Sequence, residues 1–303
     1  MCYFLFCFAI LMLKHKTKTK NQISFDIIGK KRENDSPIIM GILNVTPDSY
    51  FKDSRVGADE KLITKAIQML EEGAEILDIG GQSTRPGAEL LDSNTEWQRV
   101  KPVIQLLRDN LPETCLSIDT FYADVAQKAL DMGVKIVNDI SAGEWDKKML
   151  DVVAANNAIY IAMHKQGMPK DMQDKPKYID VVNDVLAYFE KRFEYFEQKN
   201  IKKVIVDPGF GFGKTLEHNY QLLNGLEYLK EKLGQPILVG ISNKSMVYKL
   251  LNKTPEQCIE ATSALHLFAL QQGADILRVH QVKEAMEMLT IHKILNETSL
   301  VRS

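Results

Sequence analysis

Charge of one sign is what this chain has least of. Its 38 lysines and arginines stand against 40 aspartates and glutamates, a net −2 over 303 residues. Such a balance makes no field that would gather nucleic acid or an anionic membrane. Cysteine is sparse as well. The four present, Cys2, Cys7, Cys115 and Cys258, have no metal-ligand spacing, which argues against a cysteine-built metal frame and for reduced thiols in a cytoplasmic setting. A membrane-spanning run is also missing: residues 1–13 are almost wholly apolar, but a spanning helix needs about 20 such residues. That stretch has no basic region before it and no small-residue cleavage site, and Lys14, Lys16, Lys18 and Lys20 follow it. It fits a secretory signal badly and would favour a cytoplasmic body even if it touched a membrane. Residues 1–33 are therefore read as a disordered or non-native extension from an upstream start, with Met12 an alternative initiator.

What the chain does have is apolar residues enough for a large core, 45% of the total beside 26% charged. That is ordinary for a soluble globular protein. They come in short runs. Six of these, at 38–43, 76–79, 115–118, 136–137, 204–206 and 276–277, each stop at a polar cluster. The clusters are Asn44, the loop with Thr84 and Arg85, Asp119, Asn138, Asp207, and Arg278 with His280. Polar groups at the ends of successive buried strands converge on one mouth in a parallel barrel. Helices lie between the runs: Leu62, Ile63, Ala66, Ile67 and Leu70 recur at helical spacing, and Gly73 follows as a stop.

One pattern recurs at 72–78, 132–138 and 272–278. A helix is closed by a left-handed glycine (Gly73, Gly133, Gly273), a buried strand follows, and a polar residue (Asp78, Asn138, Arg278) tips it. Adding 158–162 and 237–239 gives eight strands, and eight βα units in about 250 residues are what a (β/α)8 barrel requires. The predicted architecture is α/β, a single-domain (β/α)8 TIM barrel over residues 34–303. An open doubly wound sheet is the alternative.

The chemistry begins at DPGFGFGK, residues 207–214. It is not a nucleotide P-loop, because Pro208 stands five before Gly213, and the GxGxxG spacing fails at Lys214. Close backbone approach to a ligand remains open. A strand-end carboxylate such as Asp207 can accept two parallel hydrogen bonds from an amidine-like edge, or can simply cap a helix. His164 and His266, beside apolar neighbours, read as packing histidines. Lys214 reads as a solvated helix-start lysine and is left out of the site. Residues 168–172 read as a loop.

MGILNVTPDS at 40–49, GGQSTRPGA at 80–88, SIDT at 117–120, VNDI at 137–140, DPGFGFGK, and RVH at 278–280 stand in order and in register. Together they resemble the dihydropteroate synthase family. The resemblance implies a transferase of folate biosynthesis that condenses 6-hydroxymethyl-7,8-dihydropterin diphosphate with 4-aminobenzoate, releasing pyrophosphate. It implies that Asp119, Asn138, Asp207 and Lys244 surround the pterin and that Arg278 lies over its ring while reaching the diphosphate. Arg85 and His280 would join Arg278 on the leaving group, and Asn44 would offer its oxygen to Mg2+. Catalytic weight would fall on Asp119, Arg85, Arg278 and His280. Pro86, Phe212 and Ser245 would help to hold the aminobenzoate, with mobile loops at 44–58 and 80–95 around it, and Thr84 would be a further substrate-binding residue that with Arg85 speaks for a diphosphate substrate. A homodimer, partly through the apolar helix at 259–270, and sensitivity of the sulfonamide-target type are further implications.

Two departures qualify the match. Asn243 stands where the family usually has arginine before the lysine, and Tyr50 where phenylalanine is common. Two other readings stay open: a pterin-binding methyltransferase module, which would not need the first two loops, and a catalytically silent pterin-binding paralogue.

Overall fold

Each strand is followed by helical structure that carries the chain back to start the next, as the alternating runs predict. A computed structural model describes residues 36–45, 55–82, 90–167, 172 and 176–299. The strands are β1 (Ile38–Asn44), β2 (Ile76–Gly80), β3 (Cys115–Asp119), β4 (Ile136–Asp139), β5 (Ile159–Met163), β6 (Val204–Asp207), β7 (Leu238–Val239) and β8 (Ile276–Val279). All pairings are parallel, in the order β6-β5-β4-β3-β2-β1-β8-β7. The ring closes between β6 and β7 through the single bridge Val206↔Ile237. Because that bridge joins the two ends of the strand order, the open-sheet alternative is excluded, and the fold is a (β/α)8 TIM barrel.

The outer ring is α1 (Arg55–Glu71), α2 (Ser93–Asn110), α3 (Ala123–Asp131), α4 (Met149–Ala155), α5 (Val181–Gln198), α6 (Leu216–Asn224), α7 (Leu226–Leu233), α8 (Ser245–Leu251), α9 (Ile259–Gln271) and α10 (Val282–Ser299). Two of these begin inside segments predicted as loops. Helix α1 starts at Arg55, within 44–58, and α2 at Ser93, within 80–95, where the Asp92 carboxylate accepts from the Thr95 amide at 2.9 Å. Loop composition at a helix start is also cap composition, and the cap wins here. On α1, Leu62, Ala66 and Met69 are buried, whereas Ile67 is exposed and sits at the edge of the apolar stripe.

Strand alternation decides which side chains reach the site. Leu77 and Ile79, Leu116 and Ile118, Val137, Val204 and Val206, and Leu277 and Val279 belong to the main apolar cluster packed with the helices. Residues of opposite parity must then face the barrel axis, since successive side chains point to opposite faces. That set holds Asn44, Asp78, Gly80, Asp119, Asn138, Asp207 and Arg278. They stand at or near the C-terminal ends of their strands, the end at which this fold builds its sites.

The repeated helix stop has one geometry. Gly73, Gly133 and Gly273 have φ of 111°, 86° and 87°. In each case the amide after the glycine donates back to the last turn: Ala74 to Met69, Val134 to Ala129 and Ala274 to Ala269, at 2.8 to 3.1 Å. Asn157 (φ 48°) and Asn200 (φ 56°) perform the same turn before β5 and β6. Residues 1–33, most of the two predicted loops, Tyr50 and residues 168–171 lie outside the described residues; Met172 is buried.

A methyl group at Gly133 would meet nothing nearer than Arg108 Nε at 3.5 Å. Gly133→Ala should therefore cost only left-handed strain, about 1 kcal/mol, read as a lower urea midpoint with no change in activity per folded molecule. An unchanged midpoint would show that the turn has another way to close.

Candidate active site

At the mouth of the barrel, the Arg278 guanidinium lies between two carboxylates. Nε donates to Asp78 Oδ2 at 2.6 Å and Nη2 to Asp119 Oδ2 at 2.6 Å. The same Asp78 oxygen accepts from Asn138 Nδ2 at 3.1 Å. Asp78 is fully buried, while Asp119 and Arg278 keep 16% and 19% of their side chains exposed, so the two can be reached from the mouth. Burial pushes the Asp119 carboxyl up to about 7, against the pull of Arg278 and with neighbouring carboxylates adding to the rise. Burial acts to lower Arg278, but Asp78 and Asp119 outweigh it and hold the cation above its ordinary value.

Gly80 stands in register with Asn44 on one side and Asp119 on the other. A Cβ there would come within 3.4 Å of Asn44 Oδ1 and 3.8 Å of Asp119 Oδ2. The missing side chain leaves the space between these two oxygens unfilled. No group of three or more His, Cys, Asp or Glu is arranged as a metal cage among the described residues. The amide oxygen of Asn44 is a hard donor of the kind that suits Mg2+, which keeps most of its waters and is usually shared with substrate phosphates.

Asp207 does not cap a helix. Its Oδ1 accepts from the Gly209 amide at 2.7 Å and tightens its own loop, while Thr215 caps α6. Gly209, Gly211 and Gly213 have φ of 76°, 80° and 61°. At Gly209 a Cβ would fall 1.7 Å from the His164 carbonyl oxygen, so glycine is required there by space as well as by φ. Burial raises the Asp207 carboxyl, with Lys244 pulling it down.

Lys214 corrects the sequence reading. It is buried, not solvated, and its ammonium donates to Gly209 O at 2.9 Å and Phe212 O at 3.3 Å, with His164 Nδ1 at 2.9 Å. It staples the glycine loop from beneath, and burial lowers it to about 7. Lys244 reaches the same loop from above, donating to Phe210 O and lying 4.8 Å over the Phe212 ring. Burial lowers Lys244 to about 8, opposed by Asp207. Phe212 also packs on a small apolar cluster of Phe121, Ile140 and Met163. His164 and His266 are buried, as read.

His280 follows β8 and is held by Ser242, whose Oγ lies 3.2 Å from both its backbone nitrogen and its Nδ1. Lys244 occupies the N-cap position of α8 and Ser245 its first turn. The preceding residue, Asn243, has φ 56°. Thr84, Arg85 and Pro86 lie outside the described residues, but both edges of their segment are tied down. Gln82 accepts from the Leu91 amide at 2.6 Å and donates to Glu96 at 3.1 Å, and Arg99 donates to Gly81 O at 3.3 Å.

Sequence reasoning missed Asp78, Glu96 and Lys214 as parts of this machinery. Asp78 was visible as the first of the three repeated tips. Glu96 gave no signal, since one acidic residue in a helix's first turn is commonplace.

Comparison with known proteins agrees with this geometry. The family model described as pterin binding enzyme matches residues 40–280. The dihydropteroate synthase of Haemophilus influenzae is 42% identical over 257 residues, 84% of this chain and 92% of that protein. That of Escherichia coli K12 is 39% identical, covering 87% and 93%. The Yersinia pestis dihydropteroate synthase, solved as a sulfonamide drug complex, superposes with a TM-score of 0.82 at 39% identity, covering 89% of this chain and 98% of that one. The Xanthomonas albilineans enzyme with 4-aminobenzoic acid gives 0.79 at 39%, covering 86% and 94%. The chain belongs to the pterin binding enzymes and, within them, to the dihydropteroate synthases, transferases of a pterin methylene group.

Glu96 sets a pH dependence. It is fully buried, its Oε1 has no hydrogen-bond partner among the described residues, and burial raises its carboxyl to about 8, against hydrogen bonds from Thr120 and Gln82. The folded state keeps a proton that the unfolded state loses near 4.5. Its contribution to stability is therefore full below that pH and declines as pH rises to about 8. Glu96→Gln, which has no proton to lose, should gain on the wild type across that window. Urea melts at its two ends would show it, and a difference independent of pH would rule it out.

Proposed function

We propose that this site joins 6-hydroxymethyl-7,8-dihydropterin diphosphate to 4-aminobenzoate, giving 7,8-dihydropteroate and pyrophosphate. The observation that carries the reading is the meeting of Arg278, Asp119, Asn138 and the loop of Asp207 and Lys244 at one barrel mouth, in a chain of this family. Asp207, Asn138 and Asp119 read the pterin's donor edge, and Lys244 its carbonyl side. For Lys244 this means exchanging the Phe210 carbonyl for the ligand. Arg278 covers the ring face, its plane fixed by two carboxylates.

The bond from the pterin methylene to the diphosphate oxygen breaks first, and its electron pair leaves with pyrophosphate. Arg278, Arg85 and His280 donate to the oxygens on which that charge collects. Asn44 is the residue that would hold Mg2+, whose chemistry is to neutralise phosphate charge. Asp119, when ionised, supports the cationic methylene, with Arg278 pulling its raised carboxyl back toward the charged form. The arylamine nitrogen forms the new C–N bond with its lone pair and then gives its proton to solvent. Phe212 and Pro86 wall the aminobenzoate, and Ser245 receives its carboxylate.

The diphosphate loop carrying Thr84 and Arg85 favours this reading over a methyltransferase module. Nor does Asn243 argue for a silent paralogue. Its φ of 56° lies in the left-handed region, which asparagine adopts far more readily than arginine, so the residue suits the turn that delivers Lys244. The protein acts in the cytoplasm as a homodimer; its described cysteines, Cys115 and Cys258, are free thiols, and no helix among the described residues is long and apolar enough to cross a membrane.

Purified protein with the pterin diphosphate and Mg2+ should release pyrophosphate only when 4-aminobenzoate is added; release indifferent to the arylamine would refute the reading. Asp207→Asn should weaken pterin binding by about tenfold or more, because an amide N–H then faces ligand donors. Equal affinity by calorimetry would remove Asp207 from the pterin edge.

A further inference from the structure

Asp78, Asn138 and Arg278, the three tips of the repeated sequence pattern, meet one another in the barrel, and their contacts have a direction. An ionised carboxylate only accepts hydrogen bonds. Asn138 must therefore turn its amide nitrogen to Asp78 Oδ2, 3.1 Å away, and its carbonyl oxygen elsewhere. Arg278 commits Nε to the same oxygen and Nη2 to Asp119, which leaves Nη1 uncommitted to either carboxylate. One buried atom thus decides which face of two neighbouring side chains is turned outward.

We propose that Asp78 is a positioning residue that sets the hydrogen-bond polarity of the ligand pocket without touching the ligand. It fixes Asn138 as a presented acceptor and holds Arg278 in a single plane. The inference rests on the reading of the pocket as a pterin site. Asp78 is poorly suited to a role in stability alone. It is fully buried, and its second oxygen, Oδ1, has no hydrogen-bond partner among the described residues. A carboxylate desolvated in this way is a weak stabiliser of a core. Ile76, two residues earlier on the same face of β2, fills its place with carbon. Gly80, two residues later, has no side chain to close over Asp78, so the atoms it orients stay reachable from the mouth.

Asp78→Asn keeps the volume but can donate as well as accept, so the Asn138 amide is free to turn either way. Calorimetry with 6-hydroxymethylpterin should show affinity falling by about tenfold or more. Discrimination against the analogue lacking the 2-amino group should shrink, because the acceptors facing that group are no longer fixed. The KM for 4-aminobenzoate should stay within about twofold, since its contacts do not pass through Asp78. The thermal midpoint should fall, because Arg278 loses one of its two anionic partners, so binding is compared per folded molecule. Pterin affinity and discrimination both within about twofold of wild type would overturn the proposal, as would equal losses for both substrates.

Should Asp78→Asn fail to fold, Asn138→Asp carries the test. Two carboxylates would then face each other beside Arg278 and Asp119, so pterin binding by that variant should strengthen as pH falls, with proton uptake beyond whatever the Asp119 and Asp207 carboxyls give the wild type. The same pH profile in both proteins would overturn the proposal. A wild type that binds no pterin removes the site reading and this inference together. A wild type that binds it while Asp78→Asn binds equally removes the positioning role alone.

Discussion

A guanidinium held between two carboxylates inside a closed barrel is the contact on which the rest of this site depends. Arg278 is the last of the strand-end groups in the chain, and it reaches back to Asp78 and Asp119, 200 and 159 residues earlier. That reach is possible only because β8 lies against β1. The pair also solves an electrostatic problem. Asp78 and Asp207 stand near Asp119, and their charge adds to the burial that pushes its carboxyl up. Arg278 and Lys244 pull the Asp119 and Asp207 carboxyls back down against burial, so carboxylate and cation stand in one small space, where a cationic ligand carbon and a departing anion can each meet opposite charge.

Much of this was legible in the chain because two periodicities do most of the placing. Alternation along a strand sends Asp119, Asn138, Asp207 and Arg278 to the axis once their apolar neighbours are committed to the helices. The glycine stops at 73, 133 and 273 mark where three strands begin, and the structure gives each of them a positive φ. The same stop before β5 and β6 was hidden because Asn157 and Asn200 make it, and asparagine has many other uses.

What stayed illegible depends on partners far apart in sequence. A buried lysine cannot be told from a solvated one by spacing, and Lys214 looked solvated until His164, fifty residues earlier, was found on its ammonium. Glu96 acquires meaning only through Gln82 and Thr120, which come from other strand ends. The helix starts at Arg55 and Ser93 were read as loop because capping residues and loop residues are the same kinds of residue.

The ring is not equally strong all the way round. Between β6 and β7 a single bridge joins the sheet, and β7 itself is two residues long. Asp207 leaves the barrel on one side of that seam and Lys244 follows on the other. With so little ladder between them, their spacing is kept by the glycine loop, through Lys214 beneath and the Phe210 carbonyl above. The staves of this cask are tight everywhere except at one joint, and there a loop serves as the hoop. A wedge at that joint would part the two groups without disturbing the opposite wall, so local opening there should cost less than unfolding the whole.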